Sequence, residues 1–230
     1  LEDAVEARGV LPHDQARAIH EKSKALGLYA LNIPADLGGG GLCTVDRMLC
    51  EEQFGHTTDI LIRRAFGNVY EALLACEGAQ VERWLTPTVR GERTCAIAIT
   101  EPGAGSDAQG IRTTASKTAD GWVLNGSKHF ISDGEWSDFF LVSARTGEKE
   151  ISLFMVDKGL PGFTVGKDQE RLADLPDRRV SSVLEWAKEN GRDRLVLACE
   201  IVLADRNDQA ESRTNTAFEA KRGDAEDIAA

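Results

Sequence analysis

The spacing of apolar and polar positions changes character twice along the chain. Through residue 94 it is helical. In PHDQARAIHEKSKALG (12–27), Ala16, Ile19, Ser23 and Leu26 fall on one helical face, and Gly27 sits where a C-terminal cap belongs. Pro34 and the run Gly38 to Gly41 interrupt the pattern. TVDRMLCEEQFG (44–55) resumes it, with Thr44 as N-cap and Val45, Met48 and Leu49 as an apolar stripe. Further helical segments are predicted in DILIRRAFGNVYEALLA (59–75) and AQVERWLTPTVRG (79–91).

At Cys95 the period shortens to that of strands. CAIAIT, GIRTTASKTAD, GWVLNGSKHFIS, FFLVSAR and ISLFMVD are short, rich in β-branched and aromatic residues, and separated by turn signals. Asn125-Gly126 is the strongest local hairpin signal, with further turn residues at Asp120-Gly121. Residues 95–166 therefore read as an antiparallel β domain following a helical domain over 1–94. From Lys167 the pattern changes again: 20 of the 22 glycines lie before it, whereas 26 charged residues lie in 167–230. Ser182 and Glu185 form a capping box, and Asn190-Gly191 is a helix stop. RLVLACEIVLA (194–204) fits either a helix or a buried strand, and the last 25 residues read as frayed or disordered.

Length and composition add limits. At 230 residues, 42% hydrophobic and 28% charged, the chain suits one large domain or two small ones. A net charge of −11 opposes extended nucleic-acid binding, although backbone amides can still hold one dinucleotide. Cys43, Cys50, Cys76, Cys95 and Cys199 are odd in number and lack CxxC spacing, which points away from disulfides or structural zinc and toward a reducing compartment. No apolar run reaches a membrane span, and no signal peptide is visible.

The candidate chemistry lies where the strand CAIAIT ends at Thr100 and the loop EPGAGSDAQG begins. No Gly-Lys-Ser/Thr follows, so it is not a P-loop. Gly103, Gly105 and Ala108 match G-x-G-x-x-A, but a Thr-rich, strand-like stretch follows where a Rossmann helix would have to start. The loop suits a flat, phosphorylated ligand resting on bare amides at a sheet rim, with hydroxyls from Thr100 and Ser106; a tight turn without ligand fits as well. Ser106 is not a hydrolase nucleophile, since Ala104 stands where that motif needs glycine. His129 reads as a half-exposed strand residue, and His13, His20 and His56 lack metal-ligand spacing. Trp84 and Trp136 read as packing.

AITEPGAGSDAQG (98–110) resembles the signature of the acyl-CoA dehydrogenase family. LGLYALNIPADLGGGGL resembles that family's N-terminal domain, GWVLNGSKHFISDG its second flavin-contacting hairpin, and ISLFMVDKGLPGFTVGK a later strand pair, so the similarity covers residues 1 to about 167. It implies an α+β fold with a helical domain, then a β-barrel-like domain, and a helical or partly disordered tail unlike the family. It also implies FAD held by Ile97, Ala98, Ile99, Thr100, Gly105 and Ser106 on one side and by Phe130, Ile131 and Ser132 on the other. Phe130 stands where the family has tryptophan and Ser132 where it has threonine; Ser106 would also touch the phosphate-bearing arm of an acyl-CoA substrate. The implied reaction is α,β-dehydrogenation of the thioester. The family's glutamate base belongs to a C-terminal helical bundle, and no residue in 167–230 matches it, so the catalytic base is left unassigned. The alternative is a relative that binds flavin or acyl-CoA without turnover. The resemblance further implies an electron-transfer acceptor and a bacterial cytoplasm or mitochondrial matrix. It implies homo-oligomers in the family, though not for a chain without that bundle, whose open β domain should leave apolar surface bare.

Overall fold

The computed structural model describes residues 11–168 except 58, 68 and 120, together with 199–203 and 217–218. Helix α1 (His13–Ala25) turns Ala16, His20 and Ser23 inward. Gly27 ends it at φ 71, the left-handed conformation a glycine cap supplies. Leu26, on the same helical spacing, is exposed. Buried His20 bonds the Gly91 carbonyl through Nε2 at 2.7 Å.

Helix α2 (Thr44–Phe54) begins at Thr44 itself; Cys43 holds the capping position, and its thiol donates to Asp46 at 3.2 Å. No residue of α2 is buried. Val45, Met48 and Leu49, its apolar stripe, are 64%, 62% and 57% exposed. The helix is anchored through Arg47 to Glu71 at 2.9 Å and by Phe54 stacked on Phe66. Helix α3 (Asp59–Phe66) follows, then a 3-10 turn (Glu71–Ala75) and a π-turn (Val81–Leu85) that runs into α4 (Thr86–Val89).

The strands are β1 (Cys95–Ala98), β2 (Thr114–Thr118), β3 (Gly121–Ile131), β4 (Phe139–Arg145), β5 (Ile151–Asp157), β6 (Phe163–Asp168), β7 (Cys199–Leu203) and β8 (Ala217–Phe218). They form one sheet in the order β6-β7-β3-β2-β4-β5-β8, with β1 also on β4. The sheet is mixed rather than purely antiparallel. β1 runs parallel to β4 from Cys95↔Phe139 to Ala98↔Val142, and Thr114 pairs parallel with Arg145. The remaining ladders are antiparallel.

Two sequence expectations change. The hairpin joins Thr118 to Gly121, and Asn125-Gly126 lies inside β3. Gly126 is needed because a Cβ there, at φ 152, would meet Thr113 Oγ1 at 2.4 Å. Within 194–204, the described residues Cys199–Leu203 resolve the helix-or-strand ambiguity as a strand, inserted between β3 and β6. Cys199–Leu203 and Ala217–Phe218 thus add two strands to the sheet. The helix predicted near Ser182 lies outside the described residues.

β4 is the middle of the molecule, with both faces covered. Phe139 and Leu141 face a core shared with Tyr29, Ile33, Leu73, Trp84 and Val89 of the helical domain. Phe140, Val142 and Ala144 face a second core with Ala96, Ala98, Ile131 and Phe154. That explains why FFLVSAR reads as a continuous apolar run rather than an alternation. Each large side chain here contributes roughly 1.5–3 kcal/mol by leaving water. Asp157 ties the two domains by accepting from Arg83 at 2.6 Å, Arg93 at 2.7 Å and Trp84 Nε1 at 3.1 Å.

Candidate functional site: a bare loop at the sheet rim

Strand β1 ends at Ala98, and the chain passes through half-buried Ile99 and Thr100 into the glycine loop. Glu101 and Ala104 exchange backbone hydrogen bonds at 2.9 and 3.1 Å, closing a tight turn around Pro102-Gly103. Only a 3-10 turn (Ala108–Gly110) and extended backbone lead into β2. No helix therefore starts here to carry a Rossmann pyrophosphate.

The loop is open on its outer side. An added Cβ at Gly103 or Gly105 would meet nothing within 4 Å. Ser106 is exposed and Thr100 half-buried, and neither hydroxyl has a hydrogen-bond partner among the described residues. Among the described residues no side chain fills the space beside Gly103 and Gly105.

The inner side is tightly held. The buried Glu101 carboxylate accepts Arg112 N at 2.6 Å and Thr113 N at 3.0 Å, so it staples both feet of the loop together. Lys128, 0% exposed, donates to Glu101 Oε1 at 2.7 Å, the Ile99 carbonyl at 3.0 Å and Ser143 Oγ at 3.0 Å. Arg145 caps the far limb, donating to the Ile111 carbonyl at 2.8 Å and to the Gln109 carbonyl. Burial alone would raise the Glu101 carboxyl; the bonds from Lys128 and the two amides outweigh it and hold it below its ordinary value. Burial also lowers the Lys128 ammonium, against the pull of Glu101.

The facing wall is the end of β3. Its register against β7 shifts between Lys128 and Ile131, a bulge that contains His129 and Phe130. Phe130 sits at φ 60 and Asp133 at φ 62, a costly conformation for side chains of this size. His129 N donates to the Thr100 carbonyl at 2.8 Å, joining wall to rim, and its ring lies 3.8 Å from that of Phe130. Asp133 closes the wall by pairing with Arg64 at 2.8 Å and Arg63 at 3.5 Å. Arg64 also lies 4.5 Å over Trp136.

The structure therefore brings the sequence-predicted residues to one place but divides their roles. Gly105 and Ser106 are exposed on the loop, and Ile99, Thr100, Phe130 and Ser132 are half-buried. Ala98 and Ile131 point into the sheet core, and Ile97 packs toward the helical domain. Sequence reasoning missed Glu101, Lys128, Arg145 and Asp133. One signal was readable: a lysine at an inward position of an otherwise apolar strand has to find an acceptor. Among the described residues no group of three or more His, Cys, Asp or Glu could hold a metal ion, and no helix is long and apolar enough to cross a membrane.

Comparison with known proteins adds independent observations. Two family models match the chain: acyl-CoA dehydrogenase, N-terminal domain, over residues 2–92, and acyl-CoA dehydrogenase, middle domain, over residues 96–177. Benzylmalonyl-CoA dehydrogenase of Aromatoleum aromaticum is 35% identical over 68% of this chain and 43% of its own. A subunit of the caffeyl-CoA reductase-Etf complex of Acetobacterium woodii is 31% identical over 84% of this chain and 52% of its own. The solved acyl-CoA dehydrogenase of Bacillus anthracis complexed with FAD superposes with a TM-score of 0.68 at 25% identity, covering 88% of this chain and 32% of that one. The chain thus spans about half the length, or less, of the proteins it matches.

Proposed function

The chain belongs to the acyl-CoA dehydrogenase family, whose N-terminal and middle domains it carries, and on that premise we propose that the loop after Thr100 is the flavin rim of a module that serves oxidation of acyl-CoA thioesters. The observation that supports this reading best is the open outer face at Gly103, Gly105 and Ser106 above a rigid inner face. A flat ring and a diphosphate need such a surface: exposed amides, hydroxyls without partners and no intruding side chain. A turn built only to reverse the chain needs no unpartnered hydroxyls.

In this reading FAD is the cofactor, held by the backbone and side chains of Ile97, Ala98, Ile99, Thr100, Gly105 and Ser106 and by Phe130, Ile131 and Ser132 opposite. The Thr100 hydroxyl offers a hydrogen bond to the ring edge. Phe130 covers one ring face as an apolar wall, without the donor an indole would add. Ser106 serves both the cofactor's phosphates and the phosphate-bearing arm of the acyl-CoA. When bound, FAD supplies hydride acceptance for α,β-dehydrogenation. This chain's residues orient the ring and shield it from water. The electron acceptor is of the class for which the Acetobacterium relative's complex is named, Etf. A reducing compartment, bacterial cytoplasm or mitochondrial matrix, fits Cys43, Cys50, Cys76 and Cys95, which carry no disulfide.

One observation favours binding without turnover. Both carboxylates buried beside the rim, Glu101 and Asp133, are ion-paired, so neither is available as a base for the α-proton. The two readings separate in one experiment, in which purified protein is titrated with FAD and then given an acyl-CoA without oxygen. Quenched FAD fluorescence is expected, with weak uptake because the rim offers one side of a site. Bleaching of the flavin on adding acyl-CoA supports turnover, and stable yellow colour supports the binding reading. An unquenched titration at saturating FAD removes the flavoprotein reading altogether.

A further inference from the structure

We propose that Lys128 is a positioning residue that sets the gap between the rim at Thr100 and the wall at Phe130; its link to flavin rests on the preceding reading, and its mechanical part does not. The side chain is 0% exposed, and its three acceptors come from two places, the segment that follows β1 and strand β4. Two of them, the Ile99 carbonyl and the Glu101 carboxylate, flank Thr100 in sequence, so a single ammonium holds the backbone on one side of the rim residue and a side chain on the other. The third, Ser143 Oγ, lies on β4, and its hydroxyl reaches the Ala98 carbonyl at 3.4 Å. Through Glu101 the same cation controls the far foot of the loop, because that carboxylate holds the amides of Arg112 and Thr113.

Lys128 also sits at the start of the bulge that turns Phe130 to φ 60, and the next residue's amide bonds Thr100 at 2.8 Å. Rim and wall are thus clamped together at one point, from the side opposite the open face. A buried cation is a costly way to fill space, and a methionine would fill the same volume without desolvating a charge. An apolar residue would fix no distances. Lysine here satisfies every donor and leaves Thr100 and Phe130 one relative placement. The outer face then needs no rigid side chains of its own and stays free for a ligand.

The test uses the full chain. Amide hydrogen exchange at His129, Arg112 and Thr113 is compared in wild type, Lys128→Met, Lys128→Arg and Glu101→Gln, alongside FAD titration and the absorption spectrum of bound flavin. Lys128→Met is expected to speed exchange at the three amides by about tenfold or more, while β4 and β5 exchange as in wild type. It is also expected to weaken FAD by about tenfold and shift the flavin spectrum, with Lys128→Arg restoring most of each. Exchange at the three amides as slow as in wild type overturns the clamp. FAD affinity within about twofold of wild type overturns its role toward the cofactor. If the wild type binds no FAD, the flavin reading falls alone, and exchange still decides the clamp. If Lys128→Met does not fold, Glu101→Gln decides it: unchanged exchange at Arg112 and Thr113 overturns the clamp, and faster exchange there supports it.

Discussion

Gly126 shows how one residue type answers different physical needs that sequence alone cannot separate. Beside Asn125 it reads as a hairpin turn, yet it lies within β3 because Thr113 leaves no room for a side chain. The nearest atoms are Thr113 Oγ1 at 2.4 Å and Thr113 Cα at 2.7 Å, and the second belongs to backbone that cannot rotate aside. Gly126→Ala should therefore cost about 1–3 kcal/mol, read from the urea midpoint at unchanged slope. The open loop after Thr100 was legible from its glycines and hydroxyls, although the same residues fit a tight turn without ligand equally well. The network beneath it was not, since Glu101, Lys128 and Arg145 converge from three separate stretches of chain.

Among the elements, α2 and β4 show what periodicity can convey. The spacing of Val45, Met48 and Leu49 placed a helix over 44–55 correctly, and the structure gives Thr44–Phe54. It did not convey burial: an apolar stripe states which side of a helix is apolar, not what covers it, and here it is exposed. The apolar surface expected on the open β domain lies mainly on the helical one; of the exposed large hydrophobics among the described residues, only Ile151 belongs to a strand. Met48→Lys on α2 should accordingly shift stability by no more than about 0.5 kcal/mol. Leu73→Ala, at a site with 0% exposure, should cost about 2–5 kcal/mol. Thermal unfolding of the two variants side by side checks both. In β4, conversely, FFLVSAR was legible only as one of several short strands, and it is the two cores that show both of its faces covered.

For the whole molecule, the order of helical and β domains was written in the change of period near residue 95, whereas the parallel β1–β4 pairing left no local trace. Stability should depend on pH at both ends. Burial alone would raise Asp157, but Arg93, Arg83 and Trp84 outweigh it and hold its carboxyl low, as Lys128 and two amides do for Glu101. Their stabilisation is fully present above the ordinary values of 3.8 and 4.5 and is lost as pH falls through the lowered ones. Burial pushes the Cys95 thiol up to about 12 and Cys76 to about 11, so their contribution is complete below 9 and is lost as pH rises toward those values. Thermal unfolding followed against pH should show a plateau between about pH 5 and 9 with a fall on each side. The placement of β7 has a consequence during synthesis. β6 is finished at Asp168, but the strand seated between it and β3 ends at Leu203, 35 residues later. At the ribosome's about 5–20 residues per second, two neighbouring strands wait about 2–7 s with their facing amides and carbonyls unmatched. During that interval the nascent polypeptide is most in need of a chaperone's cover.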